Sequence, residues 1–217
     1  MVNILLNYYN FDGEWARPLL DKYVGNKKVL IIPLAFRESQ VWDNDSWLSV
    51  YGKGGEKFDN VIRPFLAYGY SEAEIDWLNC YDNRDYLSRI DNASLLFFTG
   101  GMPEKAIRRM NELNITSAVK NFDGVIMGAS AGAMLQLDVY HITPDEDYDR
   151  YETHRGLGLV KGFDLEVHYL ATELQRECSA RAAVELNLPV YRMWHEGGIV
   201  VDGGAVTVVG KTEIIER

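Results

Sequence analysis

The sequence predicts an α/β fold, a mostly parallel sheet with helices on both faces. Three observations support this. Apolar runs at Val29 to Ala35, Ser94 to Thr99 and Val125 to Met127 read as interior strands, because a strand buried on both faces lacks alternation. Segments with helical apolar spacing lie between them. Two of the runs lead into glycine turns, Gly100-Gly101 and Gly128-Ala129-Ser130-Ala131-Gly132. In such folds ligands sit beyond the carboxyl ends of the strands.

In chain order, Val2 to Asn7 reads as a first strand, and Trp15, Leu19 and Tyr23 share one helical face. Val29 to Ala35 is the second strand. Arg37 to Gly55 is polar, aromatic and glycine-bearing, so a loop or flap is expected, and its GKGGEK segment is a turn rather than a phosphate loop. Phe58 to Tyr68 reads as a helix that Pro64 would kink. Glu74 to Asn79 alternates weakly as a third strand. Pro103, after the strand ending at Thr99, suits the first turn of a helix through Met110 and Leu113. Ile115 to Phe122 is a further amphipathic piece. His141 to Arg155 is acidic, tyrosine-rich and aperiodic. It reads as a solvated loop, with a flap closing on the site as the alternative. Phe163 to Tyr169 is a strand ending near His168, Ala171 to Asn187 is helical, and Val190 to Trp194 is a strand that delivers His195 and Glu196 at its end. Ile199 to Val201 and Ala205 to Val209 flank Asp202-Gly203-Gly204 as a hairpin. With no repeat or linker, residues 1–217 are expected to form one domain.

A net charge of -10 argues against nucleic acid as partner and disfavours an anionic membrane surface. The N-terminus lacks the basic start and the long apolar run of a signal peptide, and no run approaches transmembrane length. A cytoplasmic protein is the default expectation. Cys80 and Cys178 lack metal or redox spacing and read as free thiols. Gly156 to Val160 has Lys161 where a third glycine would stand, so a dinucleotide site is not expected. No histidine pair has metal-ligand spacing. Neither cofactor nor metal is called for.

Val125 to Leu137 places Ser130 in G-x-S-x-G between a strand and a helix. That context lifts a hydroxyl clear of a sheet on a sharp turn and needs small neighbours. A nucleophilic Ser130 needs a base, a group to orient it, and oxyanion donors. Four histidines could supply the base. His141 and His154 bracket the acidic segment, where exposure is the usual fate. His168 and His195 each sit at a predicted strand end and compete evenly. Neighbours on a strand point to opposite faces, so His195 and Glu196 do not both face Ser130. The carboxylate role could fall to Glu196, Glu166 or Asp164.

Phe97-Phe98-Thr99-Gly100-Gly101, Gly128 to Ala133, Gly156-Leu157-Gly158-Leu159 leading to His168, and Glu196 together resemble the peptidase E and cyanophycinase family of serine peptidases. The resemblance runs from about Val29 to Gly210. It implies a flavodoxin-like three-layer sandwich related to class I glutamine amidotransferase domains. It further implies Ser130 as nucleophile, His168 as base, Glu196 as triad acid, and the Gly101 and Ala131 N–H groups as oxyanion hole. Gly100, Met102 and Arg155 become candidate substrate contacts, with Arg37 a second candidate for holding a carboxylate. Family members usually carry a polar residue where Met102 stands. The implied substrate is a short peptide with an N-terminal or linked aspartyl residue, and a homodimer is allowed. Two other readings stay open: a catalytically silent amidotransferase-like binding domain, and an esterase or acyltransferase using the same serine.

Overall fold

In the computed structural model, which describes residues 1–25 and 28–216, the apolar runs become neighbouring strands of one sheet. The first half comprises β1 (Val2–Leu6), α1 (Arg17–Val24), β2 (Val29–Ile32), α2 (Asn44–Tyr51), α3 (Phe58–Ala67), β3 (Ile75–Trp77), α4 (Tyr86–Asn92), β4 (Leu95–Phe98), α5 (Pro103–Glu112) and α6 (Thr116–Lys120). The second comprises β5 (Val125–Ala129), α7 (Ala131–Met134), β6 (Val139–Ile142), β7 (Glu152–Arg155), β8 (Asp164–Glu166), α8 (Glu173–Leu186), β9 (Val190–Asp202) and β10 (Ala205–Ile215). The main sheet runs β10-β9-β1-β5-β4-β2-β3, with β8 also on β9. Only β9 pairs antiparallel, with β1 and β10; the other ladders of this sheet are parallel.

Strand alternation builds the two apolar layers. Leu95 and Phe97 of β4 face a core shared with Leu20 and Val24 of α1 and with Val61 and Phe65 of α3. Leu96 and Phe98 point the other way, to Trp47 of α2, Ile90 of α4 and Ala106 and Met110 of α5. The result is the predicted three-layer α/β arrangement with a mostly parallel sheet. A third cluster, with Leu5, Met134, Tyr140, Leu165, Met193 and Ile199, supports the second half. No helix among the described residues is long and apolar enough to cross a membrane.

Three segments differ from expectation. The polar stretch after Phe36 contains α2. Its Asp43 side chain accepts from the Ser46 N–H while the Ser46 hydroxyl takes up the Asp43 N–H, a capping box in front of a buried Trp47, Val50 and Tyr51 face. Helix α3 continues past Pro64 to Ala67. The acidic segment from His141 is not all loop, because β6 and β7 pair antiparallel from Val139↔Arg155 to Ile142↔Glu152. Tyr140 and Ile142, buried in the third cluster, anchor it. The largest difference is β9. The predicted strand end at Trp194 is the middle of a strand that runs from Val190 to Asp202. It is paired by β10 from Val190 to Met193 and from Gly197 to Asp202, with a register shift between Gly210 and Thr212 opposite the intervening residues, and by β1 from Gly198 onward.

Candidate active site

Ser130 stands between β5 and α7 with φ 55° and ψ -118°. A non-glycine residue there is strained, and such strain persists only where packing over-determines it. Here the packing is explicit. A Cβ on Gly128 would lie 2.1 Å from the Gly132 carbonyl oxygen, and one on Gly132 would lie 2.1 Å from the Phe98 carbonyl oxygen. Both glycines are therefore required by backbone approach. The Ser130 N–H donates to the Leu6 carbonyl at 2.9 Å, which ties the elbow to β1.

His168 lies just past β8, itself at φ 53°. Two polar side chains hold that backbone. Asn7 accepts the His168 N–H on Oδ1 at 2.6 Å, and Gln175 Nε2 donates to the His168 carbonyl at 2.9 Å. Asn7 is fully buried and fixed by donating Nδ2 to the Met193 and Trp194 carbonyls. The outcome is a 2.7 Å contact between His168 Nε2 and Ser130 Oγ. Burial pushes the His168 imidazole below its usual value, with Asp145 opposing the shift. It is thus held as a neutral base. Its Nδ1 is buried and has no hydrogen-bond partner among the described residues.

Glu196 does not reach that nitrogen. It is exposed and lies with Asp12, Glu14, Arg63 and His195 along a shallow groove. The Tyr8 ring packs 4.5 Å from the His168 ring and 4.5 Å from the His195 ring, so the two imidazoles sit against one tyrosine. His195 and Glu196 lie where β9 shifts register against β10, exposed in mid-strand instead of at a strand end. The structure therefore assembles a Ser130–His168 pair and leaves Glu196 outside it.

Gly101 has φ 132°, and a Cβ there would meet the Ala35 carbonyl oxygen at 2.1 Å. The Met102 N–H donates to that same oxygen at 2.7 Å. The Gly100 N–H donates to the Tyr9 hydroxyl at 2.6 Å, and burial pushes that phenol up to about 12. Tyr9 so fixes the plane of the glycine turn. Ala131 is the first residue of α7, where an N–H has no acceptor within its own helix.

A cavity of about 260 Å³ opens beside Ser130 and His168, with Gly101 and Pro103 in its lining. Gly100 and Met102 are not in that lining. Neither is Arg155, whose side chain is 83% exposed and pairs with Asp138 at 3.6 Å. Arg37 is held by Asp147 and by Glu146 at 3.3 Å. Neither arginine is placed to hold a substrate carboxylate.

One group in the cavity wall was read wrongly from sequence. His141 is buried, with Nδ1 2.6 Å from Asp164 Oδ2 and Nε2 2.8 Å from Glu166 Oε2. The Thr143 hydroxyl also donates to Glu166 Oε2, at 2.7 Å. Burial works against a charged imidazole here, but Asp164 and Glu166 outweigh it and push His141 up to about 10. The available signal was the D-L-E of Asp164 to Glu166. Two carboxylates two apart on a strand share a face, and a buried carboxylate pair needs a cation between them. With both ring nitrogens engaged, His141 offers no lone pair to a metal.

No protein-family model matches the chain, and no curated protein matches it. Solved structures do. A protein from Listeria monocytogenes EGD-e described as a candidate peptidase E matches over 97% of this chain and 98% of its own, with TM-score 0.63 and 15% identity. A peptidase from an acI-B1 Actinobacterium matches over 100% of this chain and 94% of its own, with TM-score 0.57 and 16% identity. The chain shares the fold of these proteins.

Proposed function

We propose that this chain is a cytoplasmic serine-type peptidase acting on short peptides through an acyl-enzyme. The observation that carries the proposal is the 2.7 Å contact from His168 Nε2 to Ser130 Oγ at a strained strand-to-helix elbow. The fold likeness to two proteins described as peptidases is consistent with it.

His168 Nε2 takes the hydroxyl proton as Ser130 Oγ attacks the scissile carbonyl, then returns it to the leaving amine. We assign the oxyanion to the Gly101 and Ala131 N–H groups, each worth about 3 kcal/mol. Water then releases the acyl group from Ser130. With Nε2 accepting, the imidazole proton sits on Nδ1, and no carboxylate meets it there. The working unit is thus a serine–histidine pair oriented through its backbone by Asn7 and Gln175.

Labelling with a fluorophosphonate probe tests this reading. The expected result is one adduct on Ser130 that is absent in Ser130→Ala. Folded wild-type protein that takes no adduct would overturn it.

A further inference from the structure

The cavity beside Ser130 has an uneven charge. Among its described lining residues none is lysine or arginine. Its ionisable groups are His141, His168, Asp145, Glu166 and Tyr148. His168 is held neutral by burial. His141 is the one cation held there and is shared by two carboxylates, Asp164 and Glu166.

Glu166 is only 4% exposed yet lines the cavity. Its Oε2 takes both His141 and Thr143, while no hydrogen bond among the described residues ends on Oε1. Oε1 is thus left open to accept from a ligand or water. Asp145, exposed at the cavity rim, also has one oxygen free: its Oδ1 accepts the Asp147 and Tyr148 N–H groups, and no hydrogen bond among the described residues ends on Oδ2. Arg37 and Arg155 do not line the cavity and pair with carboxylates elsewhere.

We infer that the cavity selects substrates carrying an ammonium group close to the scissile carbonyl, received by the free oxygens of Glu166 and Asp145. This rests on the peptidase reading and sharpens its substrate class. It sets aside an aspartyl side chain, whose carboxylate would face two like charges and no arginine. The ammonium could belong to a free peptide N-terminus or to a lysine side chain.

Binding to Ser130→Ala protein, read by calorimetry, separates these cases without needing turnover. Four dipeptide amides serve: Ala-Ala with a free amine, acetyl-Lys-Ala, acetyl-Ala-Ala and acetyl-Asp-Ala. At least one ammonium peptide should bind tenfold or more tighter than acetyl-Ala-Ala, and acetyl-Asp-Ala should bind weakest. Which of the two wins identifies the source of the ammonium. Adding Asp145→Asn, an exposed position that tolerates the change, or Glu166→Gln should shrink the preference below threefold. Four peptides within threefold of each other, or acetyl-Asp-Ala binding tightest, would overturn the inference. Fluorophosphonate labelling of wild-type Ser130 is scored separately, so failure of the peptidase reading stays distinct from failure of this one.

Discussion

Two histidines border the same cavity and are treated in opposite ways. His141 lies between Asp164 and Glu166, with both ring nitrogens engaged, and is pushed up to about 10. His168 touches Ser130 through Nε2, has no partner on Nδ1, and is pushed down by burial. Carboxylates on both nitrogens lock a histidine in its charged form, where it cannot accept a proton. A histidine that must accept one is better left neutral, with its position secured through the backbone. The difference between the two histidines is thus a difference in partners, since both rings are largely buried.

The most severe way to break this comparison is to remove each ring in turn. His168→Ala should lower kcat/KM roughly 10⁴-fold, as loss of a base does in serine hydrolases, while the melting temperature stays nearly unchanged. His141→Ala should do the reverse. It strands two buried carboxylates and should destabilise the fold by about 3–5 kcal/mol in chemical denaturation, with the smaller effect on turnover of the protein that remains folded. If His141→Ala abolishes turnover in protein of wild-type stability, the two roles have been assigned the wrong way round.

The predicted and observed structures diverge for a related reason. The interior strands and the elbow were legible because apolar runs and small residues at Gly128 and Gly132 reflect local constraints that a sequence displays directly. Ser130 stands at the carboxyl end of a strand, as that reading expected, whereas strand ends alone left His168 and His195 even and only the family resemblance favoured His168, which the structure places against Ser130. Glu196 was misplaced because the length of β9 depends on its partners. Beyond the register shift at Trp194 to Glu196, β9 resumes pairing with β10 at Gly197 and with β1 at Gly198. His141 was misread because its neighbourhood is acidic in sequence, while its partners Asp164 and Glu166 lie more than twenty residues on. Helix α2 was hidden by the polar residues that cap it. What a sequence obscures here is mostly long-range pairing, whether of strands or of charges.

Proton linkage sharpens the comparison by placing the two rings on opposite limbs of the pH scale. For His168 the folded value lies below the ordinary 6.5, so its basic form persists into mild acid. The acid limb of kcat/KM should therefore have its midpoint below pH 6.5. For His141 the folded value lies above 6.5, so the unfolded chain loses this proton first as pH rises. Its contribution to stability is complete below about pH 6.5 and is lost as pH climbs toward about 10. Denaturation midpoints of wild type should fall across that window, and those of His141→Gln should fall less. An identical slope in the two proteins would remove the clamp from any role in stability.

The gentlest intervention leaves both rings in place and alters only the supports of the clamp. The Thr143 hydroxyl donates to the same Glu166 oxygen that receives His141 Nε2. Thr143→Val keeps the shape and removes that donor, so Glu166 Oε2 retains one hydrogen bond instead of two. Loss of one such bond to a charged acceptor costs about 1 kcal/mol or somewhat more. The charge count is unchanged and His168 is untouched, so the acid limb of kcat/KM should stay where it was. A fall in kcat larger than the fall in stability would mean that the clamp positions the reacting groups as well as the wall. His141 would then belong to the machinery that its carboxylates otherwise exclude it from.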